Sequence, residues 1–163
     1  MTAATGELLT VQVGMLETGQ PWVIDFRMVP HWLSAGATQS GKSNLANAII
    51  KGLAPQLVAL VGFDLKGDVE FTPYAPRLSA LATTRAECAD LLDDLVRLLT
   101  DRMRLCRDRG ARNIWRLHED IRPVPVVVLV DEVAELFLMA DKAGSRSRCC
   151  APWPARPGSA TPN

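Results

Sequence analysis

Apolar and polar residues alternate twice near the start of the chain. Val11 and Val13 sit between polar neighbours, and so do Trp22, Ile24 and Phe26. This period of two predicts strands over 9–13 and 21–26, and Glu17-Thr18-Gly19-Gln20 between them suits a hairpin turn. Two continuous apolar runs come later, over 57–63 and 126–130, and each is closed by acid: Asp64 after the first, Asp131-Glu132 after the second. Such runs predict parallel strands buried on both faces. Acids at their carboxyl ends fall where ligands collect in open α/β sheets. Between the strands the period turns helical. Leu45, Ala48 and Ile49 share one face of a helix predicted over 42–51, with Gly52 and then Pro55 as its stop. A Pro-containing loop over 72–81 leads to Thr84-Arg85-Ala86-Glu87, a capping box that opens a long helix. There Leu92, Val96, Leu99, Met103 and Cys106 step by four and three, Leu91, Leu95 and Leu98 widen the stripe, and Gly110 ends it. A further helix is predicted over 133–140. Residues 31–35 are read as a short strand from their position alone. The order strand–helix–strand–helix–strand–helix predicts an α/β domain with a parallel sheet.

Between that short strand and the first helix stands Gly36-Ala37-Thr38-Gln39-Ser40-Gly41-Lys42-Ser43, which reads G-x-x-x-x-G-K-S. Two glycines let the backbone wrap a polyphosphate so that successive N–H groups point inward. Lys42 can reach the β- and γ-phosphates, and the Ser43 hydroxyl can hold Mg²⁺. The helix that follows presents its positive end to the anion.

The strand ending in Asp131-Glu132 supplies the partner half of such a site. Asp131 can hold Mg²⁺ directly or through water. Glu132 is then placed to take a proton from an attacking water, general-base work typically worth about 10²–10⁴ in rate. Asp64-Leu65-Lys66-Gly67 reads D-x-x-G and resembles a GTPase switch, but a guanine reader also wants an N-K-x-D loop, and none is found. A small-molecule kinase would need no Asp-Glu pair and would want an acceptor lid that the sequence does not display.

Composition narrows the partners. Lys+Arg and Asp+Glu both number 18 in 163 residues, so the whole chain has no basic field to draw in nucleic acid. Any DNA contact must come from a local patch or a ring of copies. Arg97, Arg104, Arg107 and Arg109 lie among Asp93, Asp94, Asp101 and Asp108, which reads as a mixed, solvated helix face. The four cysteines show no metal spacing: Cys88 and Cys106 read as small core residues, and Cys149-Cys150 lie in a tail. His31 reads as structural, and His118 is given no functional role. No signal peptide is recognisable and no apolar run reaches the ~18 residues of a membrane span, so a cytoplasmic location is expected.

With these residues in hand, the chain resembles the FtsK/SpoIIIE family of DNA-translocating ATPases, in particular its plasmid-transfer branch. The resemblance rests on an ordered set of pieces: Glu17-Thr18-Gly19-Gln20-Pro21 with Val29-Pro30-His31, the loop Ala35 to Asn44, Asp64-Leu65-Lys66, Arg102-Met103 through Gly110-Ala111-Arg112-Asn113, and Val130-Asp131-Glu132 with Ala134-Glu135-Leu136. It implies a P-loop NTPase with a RecA-like parallel sheet behind an N-terminal β-hairpin. The implied cofactors are ATP, cradled by residues 36–44 including Asn44, and Mg²⁺ at Ser43 and Asp131, with Lys42 and Glu132 catalytic. It also implies a homo-hexameric ring around double-stranded DNA, serving plasmid transfer (conjugation) or chromosome segregation, in relatives that are membrane-associated at the septum through other segments.

The match stops near Lys142, and the family's further helix, sensor strand and winged helix are not found. The expected division is therefore a leader and hairpin over 1–30, a partial motor domain over 31–142, and a disordered, non-native tail over 143–163 that reads as a frame change, deletion junction or degenerate gene. An incomplete sheet leaves strand edges unpaired, and each buried orphan group costs about 1–3 kcal/mol. Weakened nucleotide binding and poor hydrolysis are expected. Two functions stand side by side: the ATPase motor of a DNA translocase, or an inactive remnant that at most binds nucleotide or associates with intact motor subunits.

Overall fold

The computed structural model describes residues 8–37, 39–66 and 70–135. Residues 1–132 form one compact unit, and residues 133–163 form a second, of which only 133–135 are described, in helical conformation. The rest of the helix expected over 133–140, the leader before residue 8 and the tail over 143–163 lie outside the described residues.

The hairpin forms as its alternation predicts. β1 (Thr10–Met15) pairs antiparallel with β2 (Pro21–Asp25), and Gly19 at φ 80° closes the turn. Val11 and Ile24, register partners, turn inward and are almost fully buried. They pack on α1 (Lys42–Leu53), which contributes Ile49, Ile50 and Leu53 to the same core. The approach is close enough to require glycine: a Cβ on Gly52 would stand 2.3 Å from Val11 Cγ1. Gln56 ties the two elements together. Its side chain accepts from Leu9 N–H at 2.6 Å and donates to Thr10 O at 2.9 Å and Gly52 O at 3.0 Å. Gly52 therefore lies inside the helix rather than stopping it. The turn ahead of Pro55 ends it, and the last carbonyls go to Arg77, whose guanidinium donates to Leu53, Ala54, Gln56 and Val58 oxygens.

The parallel sheet has the order β4-β3-β5. β3 (Ala59–Asp64) is central and buried on both faces, with Leu60, Phe63 and Asp64 fully enclosed. β5 (Val126–Asp131) lies beside it, with Gly62 opposite Leu129 and Asp64 opposite Asp131. On the other side, β4 (Ala80–Ala82) is a third strand at the end of the loop expected over 72–81. Before it, Thr72–Arg77 forms a short 3-10 turn.

Three expectations need correction. Residues 31–35 form no strand: 31–37 are exposed, Leu33 80% so, and no ladder hydrogen bond reaches them among the described residues. A strand exists only where a neighbour supplies its pairing, and no described strand runs beside this segment. β5 is not buried on both faces either. Among the described residues it is an edge strand, and Val128 is 44% exposed. The apolar stripe of α2 (Arg85–Asp108) is likewise uncovered in part: Val96, Leu99 and Met103 are each more than half exposed, while Cys88 and Cys106 are buried as expected. Amphipathic spacing shows which face is apolar, not what covers it. The helix start holds as read: Thr84 accepts from Glu87 N–H and Glu87 returns to Thr84 N–H.

Candidate nucleotide site

The G-x-x-x-x-G-K-S segment forms a closed loop ahead of α1. Gly36 and Ser40 approach so tightly that a Cβ on Gly36 would stand 2.4 Å from Ser40 Oγ. Gln39 and Gly41 take positive φ, 66° and 96°, a conformation glycine adopts freely and glutamine only at a cost of about 1–2 kcal/mol. Gly41 is the helix N-cap and offers no side-chain bond, and the first turn holds no acid. Among the described residues the opening N–H groups of α1 thus have no side-chain acceptor, which is what an anion-binding helix end requires. Lys42 Nζ turns back into the loop and donates to Gly36 O at 2.7 Å and Ala37 O at 2.8 Å. Its ammonium is therefore already over the ring of backbone that a polyphosphate would occupy. Thr38 lies outside the described residues, and Asn44 is an exposed first-turn residue.

The opposite wall comes from the strand tips. Parallel register sets Asp64 beside Asp131. Asp64 is fully buried and accepts three backbone N–H bonds, from Lys66 at 3.4 Å and from Glu70 and Phe71 at 3.0 Å. It pins the backbone of Lys66, Glu70 and Phe71, and is not a free acid. The folded segment delivers Glu70, whose Oε1 accepts from Ser43 Oγ at 2.8 Å. Sequence reasoning missed Glu70. Its role depends on a contact across 27 residues, and the only local hint was an acid a few residues beyond the expected strand.

Asp131 joins this cluster. Its carboxyl is pushed up from its ordinary value, first by burial and then by the negative charges of Glu70, Asp64 and Glu132, with Lys66 pulling the other way. Its Oδ2 is buried without a hydrogen-bond partner among the described residues. Among the described residues, no hydrogen bond joins Asp131 to Ser43 or Lys42. Glu132, the expected base, is exposed and sits just past the strand at φ 56°.

The donor set fits a hard divalent cation. Glu70 accepts from the Ser43 hydroxyl and adds its negative charge to that felt by Asp131, whose Oδ2 has no partner among the described residues. No trio of His, Cys, Asp or Glu converges on a metal position among the described residues. Mg²⁺ is commonly held by one or two protein oxygens plus substrate phosphates and water.

Elsewhere, arginines gather at the end of α2. Residues 102–116 include Arg102, Arg104, Arg107, Arg109, Arg112 and Arg116 against Asp108 alone. Arg109, Arg112 and Arg116 line an open concavity with Gly110. Arg104 pairs with Asp101 at 2.8 Å. His118 contacts Asp120 at 3.0 Å and caps a short turn. No helix among the described residues is long and apolar enough to cross a membrane.

Comparison with known proteins points the same way. The profile of the FtsK/SpoIIIE family matches residues 3–126. Transfer protein TraSA of Streptomyces ambofaciens is 46% identical over 151 residues, covering 86% of this chain and 36% of TraSA. DNA translocase SftA of Bacillus subtilis is 36% identical over 146 residues, covering 81% of this chain and 15% of SftA. Among solved structures, the pCW3 conjugation coupling protein TcpA, in its monomer form with ATPγS, superposes with a TM-score of 0.73 at 32% identity, covering 85% of this chain and 39% of that one. The chain thus spans well under half the length of these relatives.

Proposed function

Because this chain belongs to the FtsK/SpoIIIE family, we propose that it is the nucleotide-binding part of a motor that couples ATP hydrolysis to movement of double-stranded DNA in plasmid transfer. What supports the reading is the Ser43–Glu70 bond, which ties the loop to a backbone held by Asp64 at the tip of β3, the register partner of Asp131 on β5. Residues 36, 37 and 39–44, with Thr38 between them, would cradle the triphosphate, with Lys42 exchanging its two carbonyls for phosphate oxygens. Ser43 and Asp131 would hold Mg²⁺, which neutralises the charge that develops on the phosphates. Glu132 would orient and deprotonate the attacking water. DNA phosphates would meet the concavity of Arg109, Arg112 and Arg116, a local basic patch on a chain of zero net charge. A hexameric ring would repeat that patch around the duplex.

A titration with a fluorescent ATP analogue tests the site: binding is expected for the wild type and a loss of tenfold or more for Lys42→Ala, and equal signal from both would remove the site. DNA-stimulated phosphate release, abolished in Glu132→Gln, would support the motor. The double change Arg112→Ala and Arg116→Ala should weaken DNA binding for every sequence alike and lower the salt slope by about two.

A second reading, nucleotide binding without turnover, is favoured by one observation. Among the described residues the segment entering the loop is unpaired, so no described strand fixes the loop's distance from Asp131 and Glu132. Nucleotide binding with no DNA-stimulated release, in a folded chain, would select it.

A further inference from the structure

A serine hydroxyl has one hydrogen to give and two lone pairs to offer. It serves a cation well only if its hydrogen is drawn elsewhere, so that a lone pair faces the metal. In this chain the hydrogen of Ser43 is drawn by Glu70, at 2.8 Å. Asp131 makes no such bond among the described residues, and its Oδ2 has no partner. The two acids are therefore not interchangeable.

Glu70 is also held, rather than loosely placed. Its backbone N–H donates to Asp64 Oδ2 at 3.0 Å, and that of its neighbour Phe71 donates to the same oxygen. Phe71 is 2% exposed and belongs to the hydrophobic core. A buried acid and a core aromatic thus fix the Cα from which the Glu70 carboxylate reaches Ser43. None of these anchors uses the Glu70 side chain, so the carboxylate can be changed without unpinning the backbone.

Resting on the nucleotide-site reading above, we propose that Glu70 is a positioning residue of the Mg²⁺ site: it takes the Ser43 hydrogen so that the hydroxyl oxygen faces the cation, while Asp131 holds the cation itself. Glu70 adds a negative charge near the phosphates, so it disfavours nucleotide without metal and favours nucleotide with it. Its contribution is therefore to the metal dependence of binding rather than to binding as such. Partners that orient a metal ligand typically change metal affinity by about 10–100-fold when removed.

The experiment titrates the full chain with a fluorescent ATP analogue in excess Mg²⁺ and in EDTA, for wild type, Glu70→Ala, Glu70→Gln and Lys42→Ala. The readout is the ratio of the metal-free Kd to the Mg²⁺ Kd, with thermal melts as the check of folding. Glu70→Ala should lower that ratio by about tenfold or more while leaving the metal-free Kd equal or tighter. Glu70→Gln, which keeps an acceptor oxygen, should recover part of the loss. Lys42→Ala should weaken both affinities and keep the ratio. A Glu70→Ala ratio within about twofold of wild type, or a weakening of both affinities together, would overturn the assignment. Wild type and Lys42→Ala titrating alike would instead remove the nucleotide site, and the role of Glu70 with it.

Discussion

Replacing Asp64 separates a structural acid from a ligand-binding one. Asp64 is fully buried and accepts from the N–H groups of Glu70 and Phe71 at 3.0 Å through Oδ2, and from Lys66 at 3.4 Å through Oδ1. Asp64→Ala strands two well-made donors and one marginal one. At about 1–3 kcal/mol for each good one, the cost is about 2–6 kcal/mol, a large part of the ~5–15 that holds a domain together. Asp64→Asn keeps an oxygen for Glu70 and Phe71 and turns its amide toward Lys66, losing the marginal bond and the strength that charge lends to the others. About 1–2 kcal/mol is expected for that change. Urea unfolding followed by tryptophan fluorescence should therefore rank wild type above Asn above Ala. Nucleotide affinity of the Asn variant should stay within a few-fold of wild type, because Glu70 is still held against Ser43. If Asn binds nucleotide as poorly as Ala while unfolding like wild type, the Asp64 charge engages ligand directly, and its description as a pin is wrong.

Three shorter expectations concern other parts of the chain. Gly52→Ala would normally gain about 1 kcal/mol in a helix, but its Cβ would meet the stiff Val11 side chain at 2.3 Å; it should cost about 1–2 kcal/mol net, and denaturant unfolding should show that cost vanish or reverse in a Val11→Ala background. Asp131 has its carboxyl raised by burial and by Glu70, Asp64 and Glu132, so protonation favours the fold: stability tied to it is present below about pH 4 and is lost as pH rises through the raised value. Thermal melts should accordingly find Asp131→Asn more stable than wild type at pH 7 and equal to it at the acid end. Val96 and Leu99 are 61% and 59% exposed, so truncating either to Ala should cost under about 1 kcal/mol, against about 2–5 for Leu60→Ala in the core; a cost above about 2 at Val96 would mean that this face is covered in solution.

Much of this arrangement was legible in the residues. The loop, the hairpin turn and the capping box are local chemistry, written in consecutive positions and read directly. β3 announced itself by an apolar run long enough to exclude a loop. What escaped depends on distant partners. β4 has three residues, too few for any period to register. The segment over 31–35 was read from its position, yet its state depends on a neighbouring strand. Glu70 looked like one acid among many until Asp64 was seen to fold its segment back onto α1. The stripe of α2 was placed correctly on one face, but exposure is decided by whatever packs there.

That stripe and the outer edge of β5 adjoin. Val126 and Val128 share an open trough with Leu95, Leu98, Leu99 and Arg102. Among the described residues that edge is unpaired, and unpaired strand edges beside greasy surface are where like molecules stick to one another. Crowding, more than heat, should therefore limit how long a purified sample stays clear: encounters grow with the square of protein content, so light scattering should climb steeply on concentrating and subside on prompt dilution.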